Sequence, residues 1–273
     1  MRGEFVDVGG KRLYYYATGR RGLEPPVVLL HGFASSSHLW AGIAPLLSHQ
    51  RRVVVMDLLG HGRSDRPEDH PVNLRGHADR VLQLLDLLHV ERACIVGHDV
   101  GGAVAQLLAV RHPERVAQLG LVCSVGYDEW PPREFRIARA MLPVTRNLPA
   151  AWLLGLLRRE MQRGYTEPVR AARSVELYLR PFAGEEGRDV LLAHMLQLDP
   201  ADSMTLAPRL LHIDAPAAVI WAEEDPLVPA STGKRLARDI PNATAHPLPF
   251  ASHFAPEEAP EQVGAILLEL LQR

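Results

Sequence analysis

The stretch ACIVGHDVGG at residues 93–102 decides the fold. Its first four residues are apolar and predict a short buried strand, and residues 103–111 after it have the composition of a helix. A strand and a helix therefore meet at Asp99, which has Gly97 two positions before it and Gly101 two positions after it. A turn this sharp leaves no room for side chains at the flanking positions, which explains the glycines. The sequence predicts that the turn presents the Asp99 carboxylate at the end of the strand.

Strand and helix patterns alternate along most of the chain. Strands are predicted at 4–8, 11–18, 27–30, 52–57, 93–98, 116–123, 217–221 and 243–247. Helices are predicted at 38–47, 74–88, 102–112, 230–239 and 260–271. This alternation predicts an α/β protein with a mostly parallel, eight-stranded sheet that helices cover on both faces.

The alternation stops after Val125. From there to about Leu206 the pattern is helical or irregular, and no buried strand stands out. We interpret 126–206 as a helical cap inserted between two parts of one core, which are residues 1–125 and 207–273.

Composition narrows the class of protein and of partner. The chain has 273 residues, 47% of them apolar, and a formal net charge of −2, so neither nucleic acid nor a membrane is expected as a partner. Nothing in the first 20 residues resembles a signal peptide, and a cytoplasmic protein is expected. Cys94 and Cys123 are interpreted as small buried apolar side chains. The motifs imply no cofactor and no metal, and a homodimer is compatible with the sequence.

Four motifs, in chain order, carry a resemblance to a known family. They are His31-Gly32-Phe33, the segment DLLGHGRSD at 57–65, the turn GHDVG at 97–101, and the pair Asp225 and His253. Over nearly its whole length the chain resembles an α/β-hydrolase with a cap domain, in which the turn is the nucleophile elbow and an acid and a histidine follow in that order. The resemblance implies the α/β-hydrolase fold and a catalytic triad of Asp99, Asp225 and His253.

The aspartate in the elbow narrows the resemblance to one branch. Gly-His-Asp-x-Gly-Gly resembles the aspartate-nucleophile branch, which includes epoxide hydrolases and haloalkane dehalogenases. The branch implies that Asp99 attacks the substrate, that His253 then deprotonates a water, and that Asp225 orients the imidazole. It also implies an oxyanion hole made of the backbone N–H groups of Phe33 and Val100.

The chemistry of a carboxylate supports this branch independently of the resemblance. An aspartate with an ordinary pKa near ~3.9 is already ionised at neutral pH, so it needs no general base before it attacks. Attack on an ester or amide carbonyl would give a reactive anhydride, whereas attack on an electrophilic sp³ carbon gives an ordinary ester. Epoxides and alkyl halides offer such a carbon.

Several residues depart from the named members of this branch. Ala34 stands where epoxide hydrolases usually carry proline, and Val100 stands where epoxide hydrolases and haloalkane dehalogenases usually carry tryptophan. Val100 and Ala103 occupy the positions where fluoroacetate-type dehalogenases carry arginines that bind the substrate carboxylate.

The leaving group has to be stabilised from the cap. Epoxide hydrolases use a pair of cap tyrosines as proton donors, and the candidates are Tyr127, Tyr165 and Tyr178. A halide needs N–H donors, for which Trp40 and Trp130 are the candidates. The supply of tyrosines and the missing tryptophan after Asp99 favour the opening of a small apolar epoxide.

Other functions stay open beside this one. The first is a haloalkane dehalogenase, and the second is a carboxylesterase or lactonase, because residues 31–36 and 126–131 look like those of general esterases. The third is a non-catalytic protein that binds a small apolar ligand, against which the pair Asp225 and His253 counts. Asp128 or Glu129 is an alternative to Asp225 as the acid.

Overall fold

The computed structural model describes residues 3–128, 133–141 and 149–273. Its eight strands are β1 Glu4–Val8, β2 Lys11–Thr18, β3 Val27–Leu30, β4 Val53–Met56, β5 Ala93–His98, β6 Val116–Val122, β7 Ala217–Ala222 and β8 Ala243–Leu248. They form one sheet in the order β1-β2-β4-β3-β5-β6-β7-β8. β1 pairs antiparallel with β2 and β2 with β4, and every other pair is parallel. The prediction of a mostly parallel, eight-stranded sheet is confirmed.

Helices connect and cover the strands. The described helices are α1 Ala44–Ser48, α2 Leu74–Leu87, α3 Val100–Arg111, α4 Arg133–Ala140, α5 Ala150–Arg163, α6 Pro168–Tyr178, α7 Gly184–Gln197, α8 Pro200–Leu206, α9 Ala230–Asp239, α10 Ala255–Glu258 and α11 Pro260–Leu270. Short 3₁₀ turns lie at Ser37–Trp40, Pro113–Arg115, Arg180–Phe182 and Ala207–His212.

The single helix predicted at 38–47 is wrong in extent. The segment consists instead of the 3₁₀ turn Ser37–Trp40 and the separate helix α1. Between them lies Gly42, where a Cβ would come within 2.8 Å of the Cβ of Pro260. Pro45 then stands in the first turn of α1, where a missing N–H costs nothing and favours a new helix start.

The sheet is buried on both faces, as a parallel sheet covered by helices requires. All residues of β3 and β5 are buried, and successive residues of β3 belong to opposite sides. Val28 and Leu30 join one hydrophobic cluster, whereas Val27 and Leu29 join the other. Because parallel strands end at the same edge of a sheet, the residues that follow β3, β5 and β7 meet at one edge.

The regular elements described between β6 and β7 are all helical. This part of the chain contains α4 to α8 and two of the 3₁₀ turns, and among its described residues there is no strand. This agrees with the helical pattern predicted there, while the cap boundaries at 126 and 206 stay a prediction.

Within residues 3–128, 133–141 and 149–273, no helix is both long and apolar enough to cross a bilayer. In that same part of the chain, no three His, Cys, Asp or Glu side chains are grouped so that they could hold a metal ion. Cys94 and Cys123 are buried free thiols.

Candidate active site

Asp99 occupies a strained turn between β5 and α3. Its backbone has φ 51° and ψ −119°, in a region that residues with a Cβ rarely adopt. The flanking glycines allow the close approach that this turn requires, because a Cβ at Gly97 would collide with the carbonyl of Gly101, and a Cβ at Gly101 would collide with the carbonyl of His31. The turn therefore places the Asp99 side chain at the sheet edge, in contact with the loop after β3.

Two backbone N–H groups stabilise the charged form of the Asp99 carboxylate. The N–H of Phe33 donates to Asp99 Oδ1 at 2.9 Å, and the N–H of Val100 lowers the pKa of the carboxyl. Gly32 permits this geometry, because a Cβ there would lie 2.5 Å from the Cβ of Asp99. The two residues predicted as an oxyanion hole thus surround the carboxylate of Asp99 itself.

His253 lies between the two predicted acidic residues. Its Nδ1 is 2.9 Å from Asp225 Oδ2, and its Nε2 is 3.8 Å from Asp99 Oδ2. The other oxygen of Asp225 accepts from the N–H groups of Leu227 and Val228 at 2.8 and 2.9 Å. When the imidazole is neutral, donation from Nδ1 to Asp225 leaves the lone pair of Nε2 directed at Asp99.

Burial and charge shift the pKa values of this pair. Burial raises the pKa of Asp99, against the opposing effects of His253 and of the N–H groups of Val100 and Phe33. Burial lowers the pKa of His253, but the carboxylates of Asp225 and Asp99 outweigh it and the net pKa is raised. The sequence-based assumption of an ordinary pKa for Asp99 is therefore corrected, because the carboxyl is buried. The negative charge on Asp99 depends on His253 and the two N–H groups.

Two other histidines fix the loops of the site. His98 Nε2 lies 2.9 Å from the carbonyl oxygen of His253, and the two rings are 4.6 Å apart. His31 Nε2 accepts from the N–H of Leu58 at 2.9 Å, while its Nδ1 lies 2.8 Å from the carbonyl oxygen of Gly32. Both histidines hold backbone in place.

The three predicted tyrosine proton donors are directed at other carboxylates. The hydroxyl of Tyr127 donates to Asp239 at 2.9 Å, and the hydroxyls of Tyr165 and Tyr178 both donate to Glu257. Burial and the charge of Glu257 raise the pKa of Tyr165 and of Tyr178. In this conformation, therefore, these hydroxyls are bound to Asp239 and Glu257, and their role as proton donors stays a prediction.

The remaining candidates contact other parts of the molecule or lie outside the described residues. Trp40 is fully buried in the hydrophobic core. The carboxylate of Asp128 is exposed and lies 3.8 Å from Arg235, whereas Asp225 contacts His253. Glu129 and Trp130 lie outside the described residues.

Two residues near the triad were missed as polar partners in the sequence. Cys123 adopts a positive φ of 43° after β6, and burial together with the nearby charge of Asp225 raises the pKa of its thiol. Glu257, four residues after His253, accepts the hydroxyls of two tyrosines. The only sequence signal was position, since one residue ends the strand beside the elbow and the other follows the histidine.

Comparisons with known proteins identify the family of the chain. Residues 25–260 match the model of the family described as alpha/beta hydrolase fold. The dihydrolipoyllysine-residue acetyltransferase component of the acetoin cleaving system of Pseudomonas putida is 32% identical over 98% of this chain and 69% of its own length. The pimeloyl-[acyl-carrier protein] methyl ester esterase of Chromobacterium violaceum is 33% identical over 85% of this chain and 88% of its own. The crystal structure of the enol-lactonase from Burkholderia xenovorans LB400 has a TM-score of 0.83 and 26% identity over 99% of this chain and all of that one.

The family match and the geometry cover the same parts of the molecule. The matched residues 25–260 include the loop after β3, the strained turn at Asp99, and the contact of Asp225 with His253. The sheet order and the strand–turn–helix at Asp99 are those of the fold that the family model describes. The chain belongs to the alpha/beta hydrolase fold family and is a hydrolase.

Proposed function

We propose that this hydrolase uses Asp99 as a nucleophile and forms a covalent ester with its substrate. One observation carries the proposal, namely that the N–H of Phe33 donates to the carboxylate of Asp99 at 2.9 Å. In an enzyme with a serine nucleophile such donors stabilise the carbonyl oxygen of the substrate. Here they would stabilise the carbonyl oxygen of Asp99 once it has become an ester.

The first step joins Asp99 to carbon. Asp99 Oδ1 is held by the N–H of Phe33, while Oδ2 is on the side of His253. Oδ2 attacks an electrophilic sp³ carbon, a new C–O bond forms, and the bond from that carbon to its leaving atom breaks with both electrons going to the leaving atom. Asp99 must be ionised for this attack, which the neighbouring His253 favours.

The second step hydrolyses the ester. His253 Nε2 takes a proton from a water, and the resulting hydroxide attacks the ester carbon of Asp99. The negative charge that develops on Oδ1 is stabilised by the N–H groups of Phe33 and Val100, each worth about 3 kcal/mol by analogy with measured oxyanion holes. Asp225 stabilises the imidazolium that forms. The bond between Asp99 Cγ and Oδ2 then breaks, and His253 returns its proton to Oδ2, which leaves as the hydroxyl oxygen of the alcohol product.

A small apolar epoxide is the substrate that we propose. Val100 presents no indole N–H to a departing halide, and Val100 and Ala103 present no cation to a substrate carboxylate. An epoxide needs neither an N–H donor for a halide nor a cation for a carboxylate. Its leaving oxygen stays attached to the product and requires only one proton. Tyr165 and Tyr178 donate to Glu257, so either hydroxyl would have to turn from that carboxylate to supply the proton.

Ester or lactone hydrolysis is the second candidate, and the comparisons favour it. One relative is a methyl ester esterase and one structural neighbour an enol-lactonase. Direct attack by a water that His253 activates would be the route, since a carboxylate on an acyl carbon gives an anhydride. The N–H of Phe33 counts against it, because it donates to Asp99 and not to the place where a substrate carbonyl oxygen would lie.

Turnover of matched substrates separates these functions. We expect the purified protein to convert styrene oxide to its diol, and to hydrolyse phenyl acetate and 1-bromobutane much more slowly or not at all, because only the epoxide satisfies both the nucleophile and the leaving group. Rates are measured by product chromatography under the same conditions. Rapid hydrolysis of phenyl acetate with styrene oxide unchanged would favour the esterase instead.

A further inference from the structure

Glu257 forms hydrogen bonds that join the core to the helical segment between β6 and β7. Its Oε1 accepts from the hydroxyls of Tyr165 and Tyr178, and its Oε2 accepts from the hydroxyl of Ser174 at 2.5 Å. Ser174 and Tyr178 are four residues apart on α6, so they share the face of that helix that meets the core. The backbone carbonyl of Glu257 also accepts from Arg170 at 2.6 Å. One core residue thus receives four donors from the segment between β6 and β7.

The loop that carries His253 is packed against the same segment. The N–H of Phe254 donates to the carbonyl of Gly164 at 3.2 Å, and the ring of Phe254 stacks on Tyr165 with centroids 4.2 Å apart. A Cβ at Gly164 would lie 3.1 Å from the Cβ of His253, so the turn after α5 touches the base directly. A shift of this turn would therefore displace the backbone that carries the His253 imidazole.

Glu258 strengthens the connection from the other side of the same short helix. Its Oε1 accepts from the N–H and the hydroxyl of Thr166, both at 2.6 Å. Its Oε2 accepts from the N–H of Ser252 at 2.9 Å, one residue before the base. Helix α10 therefore connects the turn 164–166 to both flanks of His253.

We propose that Glu257 is a positioning residue that holds His253 in register with Asp99 by binding the hydroxyls of Tyr165, Ser174 and Tyr178. This role rests on the proposed function, in which His253 acts only in the second step. The imidazole has one side-chain hydrogen bond, to Asp225, and its Nε2 is 3.8 Å from Asp99. The single hydrogen bond to Asp225 does not fix the orientation of the imidazole ring. The packing of Phe254 and Gly164 fixes the backbone of His253, which carries the ring.

The test resolves the two chemical steps. Glu257→Ala and Ser174→Ala, which removes one of the hydroxyls bound by Glu257, are mixed with styrene oxide, quenched at short times, and the Asp99 ester is measured by mass spectrometry. We expect ester hydrolysis to slow by about 10- to 100-fold in Glu257→Ala, because small displacements of a catalytic group cost that much. Ester formation is expected to keep its wild-type rate, since Asp99 is held by the loop after β3. Glu257→Gln keeps one acceptor oxygen and should recover part of the lost rate.

A matched control comes from the far edge of the sheet. The hydroxyl of Tyr15 donates to Glu4 at 2.8 Å, so Tyr15→Phe removes the same kind of bond away from His253. It should leave both steps unchanged, whereas Ser174→Ala should slow ester hydrolysis. Equal slowing of both steps in Glu257→Ala, or normal ester hydrolysis in both Glu257→Ala and Ser174→Ala, would overturn the positioning role alone. Failure to detect any Asp99 ester, including in a variant without the base, would overturn the proposed function and this role with it.

Discussion

His253→Gln is expected to stop the reaction after one turnover, with the substrate bound covalently to Asp99. Glutamine keeps much of the size of the imidazole but cannot take a proton from water. The first step does not use His253 as a base, so the ester still forms. Ester hydrolysis should then fall by about 10²- to 10⁴-fold, the usual contribution of a general base. Intact-protein mass spectrometry after addition of styrene oxide should show one substrate mass added.

Peptide mapping locates the added mass. It should lie on the peptide that contains Asp99, and Asp99→Asn in the same background should show none, because an amide does not attack an epoxide. The amide oxygen can still accept from Phe33, so this control preserves the local hydrogen bond. A His253→Gln variant that turns over at the wild-type rate, or that carries the added mass elsewhere, would contradict the two-step route.

Acid is expected to destabilise the fold through a group of buried histidines. We call the side chains of His31, His61, His77 and His194 the imidazole cluster, in which His194 comes from α7 and the others from the core. Ring centroids are 4.5 Å apart for His61 and His194 and 5.2 Å apart for His31 and His61. Each residue is at most 1% exposed. Burial lowers the pKa of all four, to about 4 for His194, and for His77 the nearby charge of Arg80 adds to the effect.

The sign of the pH effect follows from where the protons bind. Below the ordinary histidine pKa of about 6.5, the unfolded chain takes up protons that the folded chain refuses, so the free energy of unfolding falls as the pH falls. At pH 5 the pKa of about 4 for His194 corresponds to a loss of about 2 kcal/mol, and the lowered pKa values of the other three histidines act in the same direction. Typical domain stability is about 5–15 kcal/mol, so the effect is measurable. The raised pKa of His253 acts in the opposite direction for one proton.

Urea unfolding at pH 7.5 and pH 5.0 measures this dependence. His194→Phe should reduce the number of protons taken up on unfolding by about one, since it removes one titrating group from the cluster. The rings of Phe33 and Phe182 already lie 6.0 and 6.4 Å from His194, so a phenyl group suits the site. The exposed His49 provides the control, and His49→Gln should leave the pH dependence as in the wild type. An unchanged dependence in His194→Phe would show that the cluster is not responsible.

Local patterns predict most of the fold and the arrangement at the sheet edge. The glycines around Asp99 predict a turn that only small neighbours permit, and the structure has a φ of 51° there. Apolar strands that alternate with helices along the chain predict the parallel sheet, because a sheet covered on both faces needs strands with apolar side chains on both sides. Since those strands end at one edge, the loops carrying Phe33, Asp225 and His253 come to Asp99 without any information on long-range packing.

Contacts between distant segments were not predictable in the same way. Tyr178 and Glu257 are 79 residues apart, and which acceptor a tyrosine finds depends on how α6 lies on the core. Helical periodicity indicates which face of α6 is buried but not its rotation toward a particular carboxylate. The hydroxyls of Tyr165 and Tyr178, predicted as proton donors to the substrate, therefore donate to Glu257, an acceptor that the sequence pattern could not reveal.

Isotope labelling of Asp99 tests the covalent route most directly. The wild-type protein, in molar excess over styrene oxide, completes one turnover in H₂¹⁸O, and both the diol and the Asp99 peptide are analysed by mass spectrometry. Water attacks the ester carbon of Asp99, so we predict one ¹⁸O atom in the Asp99 carboxylate and a diol whose new hydroxyl carries ¹⁶O from Asp99. A peptide that contains Asp225 should remain unlabelled. A labelled diol together with an unlabelled Asp99 would show that water attacks the substrate directly, and would contradict the role of Asp99 as nucleophile.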